Sequence, residues 1–374
     1  MRRASFLLVF AIWLLLAPSQ RAFGVMPRAP RITWSQFHFD SAHTGNNPSE
    51  TILSSATVPS LHQLWASRAQ LRPIESSPAV SDSRVYFTYS TFPTAGMTSL
   101  DARNGHPVWS GMGMDSSPAL WQGLAIDGGS QVLYANNAST GSVIWQSNPP
   151  GTGTGTPASA YGRLFAGGTR LSALDGSTGA TIWSTPDLGA SVRFGPAVDS
   201  GIVYADFGSI GAFEARTGTL LWIQPGAFRS SPAVANWVVY VGGDDGLYAF
   251  NATDGSPMWT APVSAGTSTP ALANGVAYVG AEDGNLYAVD GATGDVLWTD
   301  PLGGSLESSP AFANGVVYVG STNGTLYAVD ANSGSTLWSG TTNGPIGTSS
   351  PVVVNGHVFV GDEDGYMYAF GLPA

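Results

Sequence analysis

The sequence contains no cysteine and no lysine: all 14 basic residues are arginines, and charged residues of either sign make up only 10% of its 374 positions. Without cysteine no disulfide forms and no lipid is carried on an N-terminal cysteine, so the chain is not a lipoprotein of the usual kind. Basic residues also run out along the chain. None follows Arg229, whereas thirteen Asp and Glu do, and the formal net charge is −11. That balance excludes a nucleic-acid partner, which needs a clustered positive surface. Acids on turns are read here as the means of keeping a Gly-rich chain soluble and monomeric.

Several catalytic signatures are missing as well. The five histidines (His38, His43, His62, His106, His357) are scattered, with no HExxH pattern and no i, i+4 pair, which argues against zinc. No GxSxG nucleophile elbow stands between a strand and a helix, and GTGTGT at 151–156 lacks the spacing of a phosphate loop. The long apolar run FLLVFAIWLLLA (6–17) has twelve residues, too few to span a bilayer. Flanked by Arg2 and Arg3 and by Ala22-Phe23-Gly24, it reads as a secretory signal peptide over 1–24. Its loss would remove Arg2, Arg3 and Arg21, taking the formal charge from −11 to −14 and leaving no membrane span.

What is abundant is glycine (48) and proline (25), and both fall in a repeat. An eleven-residue unit recurs seven times, plainest as AVDGATGDVLW (288–298), with glycine seventh (Gly105, Gly141, Gly179, Gly218, Gly255, Gly294, Gly334) and Trp last. The Asp or Asn usual at its third position bonds backbone amides to close a turn, and the glycine supplies a positive φ. A second phrase alternates with it, as in SSPAFANGVVYVGSTNGTLYAV (308–329). Eight prolines (Pro78, Pro118, Pro157, Pro196, Pro232, Pro270, Pro310, Pro351) mark its starts, 36 to 41 residues apart, the period of a four-stranded propeller blade. Each copy reads as four short antiparallel strands, with Asp-Gly or Asn-Gly closing the central hairpin. The eighth copy stops after its third strand, while an orphan fourth strand, LHQLW (61–65), stands upstream. The fold class predicted is therefore all-β: an eight-bladed β-propeller over 60–374, its last blade closed by an N-terminal strand, preceded by a lead-in at 25–59.

This A-x-D-x-x-x-G-x-x-x-W pattern resembles the tryptophan-docking repeat of the PQQ-like (quinoprotein-type) propeller family, and WSQFHFDSAHTGNNPSE (34–50) resembles the segment that precedes the ring there. The resemblance implies either of two functions: PQQ-dependent oxidation of alcohols or sugars, with PQQ and Ca²⁺ at the channel mouth, or a non-catalytic scaffold such as the outer-membrane-assembly type. The adjacent-cysteine disulfide and haem-attachment CxxCH of many family dehydrogenases are impossible here, and no long inter-blade insertions are present to cap a cofactor.

Two sets of polar residues are candidate sites. The position three residues before each proline should reach the channel mouth and reads Glu75, Asp115, Thr154, Arg193, Arg229, Thr267, Glu307 and Thr348. Glu75, Asp115 and Glu307 then oppose the neighbouring Arg193 and Arg229, which in a channel of reduced dielectric would clamp a carboxylate or phosphate. The acidic turns Asp244-Asp245, Glu282-Asp283 and Asp362-Glu363-Asp364 should project from one face. They lack the EF-hand spacing for Ca²⁺, and no metal site is expected. Beyond the repeat set, only Trp121 and Trp237 are candidates to stack a quinone at the mouth. The function expected is an exported, periplasmic or extracellular, non-catalytic binding or scaffolding propeller without a cofactor. It would present its faces and channel mouth to an extracytoplasmic protein, glycan or small ligand. The alternative is a small PQQ-dependent oxidoreductase.

Overall fold

Alternating apolar residues bounded by Gly, Asn and Pro fold into eight four-stranded antiparallel sheets, each a run of consecutive strands except one. The computed structural model describes residues 33–373, apart from 69–72, 82, 92–93, 130, 152 and 154. The expected signal peptide and Thr154 lie outside the described residues. We number the blades 1 to 8 by their innermost strands: Ala79–Ser81, Ala119–Trp121, Ala158–Ala160, Ala197–Asp199, Ala233–Ala235, Ala271–Ala273, Ala311–Ala313 and Val352–Val354. The predicted closure is present. Strand His62–Arg68 pairs antiparallel with Tyr366–Gly371, placing Trp65 opposite Ala369, so the two ends of the chain share blade 8.

Each repeated residue has a visible task. The third-position acid or amide accepts backbone N–H bonds two and three residues on, as Asp290 does from Ala292 and Thr293. The seventh-position glycine is left-handed, φ +81° at Gly294, and it carries the indole of the preceding blade: a Cβ there would stand 2.8 Å from Trp259. That indole's Nε1 then donates to a carbonyl of the next blade, Trp259 to Gly291 at 3.1 Å and Trp298 to Ala331 at 3.0 Å. Trp338 donates to the Leu61 carbonyl at 2.8 Å, across the closure. Apolar faces of adjacent blades meet in separate clusters, such as Ala249, Val279 and Val289 between blades 5 and 6.

Six of the eight prolines follow two hydroxyl residues, Pro157 and Pro196 being the exceptions, and these hydroxyls make a second network. The first caps its own blade: Ser268 Oγ accepts from Gly280 N at 3.1 Å and Ser349 Oγ from Gly361 N at 3.0 Å. The second joins blades, with Ser77 N donating to Ser117 Oγ, Thr269 N to Ser309 Oγ, Ser309 N to Ser350 Oγ, and Ser350 N to Ser77 Oγ.

Innermost strands leave one edge unpaired, a liability in any sheet. Here the lead-in covers it. Val80 N donates to the Trp34 carbonyl, Leu120 N to Ser35 O, Val198 N to Ser41 O, Val234 N to Ala42 O, Leu272 N to Thr44 O and Phe312 N to Gly45 O. Ser159 N uses Gln36 Oε1, and Asn47 Nδ2 donates to the Val353 carbonyl. All eight middle residues of the innermost strands are thereby engaged by one segment that circles the axis. His38 and His43 are its pins: the His38 ring nitrogens lie 2.7 Å from the His43 and Pro310 carbonyls, and His43 Nδ1 lies 3.1 Å from the Pro232 carbonyl. Burial holds their pKa values down, to about 4 for His38 and about 3 for His43, where the His38 charge adds to the effect.

Candidate functional site at the channel mouth

Because the lead-in closes one end, the axis holds a blind cavity of about 220 Å³, to which all eight blades contribute and which Phe37 of the lead-in also lines. Around it stand the serine and threonine hydroxyls of the inter-blade ring, then Glu75, Asp115, Arg193, Thr267, Glu307 and Thr348. Position three before the proline therefore does gather at one opening, built by the turn that drops from each outermost strand to the next innermost one.

Arg229 is the exception. Its guanidinium forms ion pairs with Asp244 at 2.5 Å and Glu282 at 3.9 Å, and it is not among the cavity-lining residues. The expected pair of arginines is thus divided: Arg193 faces the cavity, while Arg229 binds the central turns of blades 5 and 6. A bare guanidinium beside two exposed carboxylates takes the nearer opposite charge. Arg193 in turn lies near Asp206. Burial raises that carboxyl to about 7, a Gly208 N–H bond and the Arg193 charge opposing the shift.

The acidic turns do lie on this face. Asp244 and Glu282 meet Arg229, and the Glu363 carboxyl is pushed above its usual range by partial burial first and then by Glu75 and Glu307. Several of these acids already serve their turns: Asp245 and Asp283 accept from Tyr248 and Tyr287 hydroxyls at 2.6 Å each, and Asp362 accepts from Tyr368 at 2.8 Å. The mouth thus carries Glu75, Asp115 and Glu307 against one inward-facing arginine.

Trp121 and Trp237 are elsewhere. Trp121 ends the innermost strand of blade 2 and lines a pocket on the lead-in side with Thr33 and Ser35. Trp237 occupies the first turn of blade 5 in a left-handed conformation, φ +64°, at 58% exposure. Both belong to first-hairpin turns, which point away from the mouth.

These features define a closed eight-bladed propeller with a plugged axis and an acidic mouth. A family model described as "Outer membrane protein assembly factor BamB" matches residues 122–225, 206–308 and 292–371, and the chain belongs to that PQQ-like repeat family. Among curated proteins it is 26% identical over 202 residues to a tetrathionate hydrolase of Acidithiobacillus ferrooxidans, covering 42% of this chain and 40% of that protein. Among solved structures it is similar to the quinohemoprotein alcohol dehydrogenase of Comamonas testosteroni (TM-score 0.78, 16% identity, 91% of this chain and 82% of that one). It is also similar to BamB of Moraxella catarrhalis (TM-score 0.66, 19% identity, 83% and 100%). At these identities the structural likeness concerns the fold, which both functions share. Among the described residues no helix is long and apolar enough to cross a membrane.

Proposed function

We propose that the chain is an exported, non-catalytic binding or scaffolding propeller whose acidic mouth face receives an extracytoplasmic partner. The observation that carries this reading is the cavity itself. At about 220 Å³ it is smaller than the roughly 300–1,000 Å³ of ordinary small-molecule pockets, and hydroxyls and carboxylates line it. An anionic planar quinone such as PQQ does not fit this donor set: three acids face one arginine, and among the described residues Phe37 and Phe194 are the large aromatics on its walls. Recognition is left to the rim, where Glu75, Asp115, Glu307 and the turn acids offer a broad negative surface to a cationic segment of a protein.

The test is capture from the exported fraction with the full chain as bait. Replacing Glu75→Gln, Asp115→Asn and Glu307→Gln together should weaken capture at least ~10-fold, each lost charge contact being worth about 0.5 kcal/mol or more. Trp121→Ala, on the opposite side, should leave it intact. If capture survives the triple change, the mouth is not the binding surface. A saturable absorbance change and dye reduction with alcohols or sugars on adding PQQ and Ca²⁺ would favour the oxidoreductase reading instead.

A further inference from the structure

Five buried side-chain atoms among the described residues lack a hydrogen-bond partner: Ser99 Oγ, Asp127 Oδ1, Asn136 Oδ1, Ser305 Oγ and Tyr318 OH. Three of them belong to one seam. Ser99 is on the third strand of blade 1 (Thr94–Asp101), Asp127 on the second strand of blade 2 (Leu124–Gly129), and Asn136 on its third (Val132–Asn137). Ala125 and Tyr86, which share the faces of Asp127 and Ser99 by two-residue alternation and cross-strand pairing, join the cluster where blade 1 meets blade 2.

The repeat shows that these three positions converge. Ser99 stands where blade 5 has Ala249, and Asp127 and Asn136 stand where blade 6 has Val279 and Val289. Those three equivalents pack in a single apolar cluster, as do Ala288, Val319 and Val329 one seam further on. At the first seam all three are polar, and the buried apolar cluster shrinks to Tyr86, Met97, Trp109 and Ala125.

The orientations are set by bonds already made. Asn136 Nδ2 donates to the Met112 carbonyl at 2.7 Å, and Asp127 Oδ2 accepts from Met114 N, so the linker from blade 1 to blade 2 engages both side chains. That leaves a carboxylate oxygen, an amide oxygen and a hydroxyl, each in a residue with no exposed surface. Such a trio is rich in acceptors, and among the described residues no cation balances it. Burial first, and then the like charge of Asp115, raises the Asp127 carboxyl to about 7, against the Met114 N–H bond. A buried carboxylate without a counter-ion is costly, and oxygen-only ligands select hard cations.

We propose that the seam between blades 1 and 2 binds an alkali cation, sodium or potassium, through Asp127 Oδ1, Asn136 Oδ1 and Ser99 Oγ. One formal negative charge matches one positive. The cation joins two blades at the seam whose apolar core is the smallest among the described residues, in place of the Ala and Val contacts used elsewhere. It is independent of what the mouth binds.

Thermal unfolding of the full chain, at constant ionic strength in sodium, potassium or choline chloride, tests it. The expected result is a saturable upward shift of several degrees with sodium or potassium and none with choline, since a ligand held only by the folded state stabilises by mass action. The variant carrying Ser99→Ala, Asp127→Val and Asn136→Val installs the residues of other seams and should lose the response. An unchanged response in that variant, or wild-type behaviour indifferent to the cation, overturns the site; the second result assigns the oxygens to a water or to a proton on Asp127. Broadening of the ²³Na resonance by the wild-type protein, reversed by the cation that competes, reads the same site should the triple variant not fold.

Discussion

At the scale of single residues, the glycine that ends each third-to-fourth-strand turn carries two constraints. Gly334 has φ +72°, and a Cβ on it would lie 2.8 Å from the Trp298 ring. Gly334→Ala should therefore cost roughly 1–3 kcal/mol from the left-handed backbone alone, plus the displacement of the indole, measurable by urea unfolding. Gly275→Ala, also left-handed at +81° but with open space around it, should cost only the backbone part. The difference between the two separates conformation from packing. The positive φ is legible in the turn pattern of the sequence. The indole beneath it is not, because the Trp comes from the preceding blade.

The residue scale also sets a pH dependence. His38 and His43 have folded pKa values near 4 and 3, below the ordinary value of about 6.5. The folded state resists their protonation, so their contribution is complete above about pH 6.5 and is lost as pH falls toward 4. Asp40, beside them, is shifted upward by burial, with Asp199 adding to the effect, and opposes this trend. The check is therefore a difference: wild type should lose more stability than a His38→Gln/His43→Asn variant between pH 7 and 4 in guanidinium unfolding.

At the scale of elements, the lead-in behaves as a ninth structural unit. Its carbonyls take up N–H groups from the innermost strands, so these amides should exchange slowly although each strand has only three residues. Gly45 is its tight point: φ is +61° and a Cβ would meet the His38 ring at 2.5 Å. Gly45→Val should lift the segment locally, speeding hydrogen exchange at Leu272 and Phe312 far more than at the blade-2 amide of Leu120. The sequence marked 34–50 as a lead-in by resemblance alone. That it closes the axis was illegible, because its partners are dispersed over 270 residues of chain and share no motif with it. The paired hydroxyls before six of the eight prolines were visible as a phrase, yet their role between blades depends on neighbours about forty residues away.

At the scale of the whole molecule, closure makes the two ends of the chain as important as its middle. Trp65 stands on the strand that completes blade 8 and donates to the Ala102 carbonyl at 3.0 Å. Trp65→Ala should destabilise the ring by about 3–5 kcal/mol, the usual range for a buried aromatic, and as much as Trp259→Ala, in urea unfolding followed by tryptophan fluorescence. Where the loss also frees strand His62–Arg68 from Tyr366–Gly371, the uncovered edge should make the chain self-associate.

The sequence by itself determined the eight blades, their four strands and the place of closure, because those follow from spacings within one repeat and from one missing strand matched by one orphan. It also placed Glu75, Asp115, Arg193 and Glu307 about one opening, since equivalent positions in a closed ring are neighbours. Only the tertiary structure decided that Arg229 leaves that group for Asp244 and Glu282, and that Trp121 and Trp237 stand away from the mouth. Only it brought Ser99, Asp127 and Asn136 into one seam. The physical reason is the same in each case: a repeat encodes which backbone position a residue occupies, whereas the partner of a charge or a buried oxygen is chosen across blades, by distance and desolvation, among groups the chain order keeps apart.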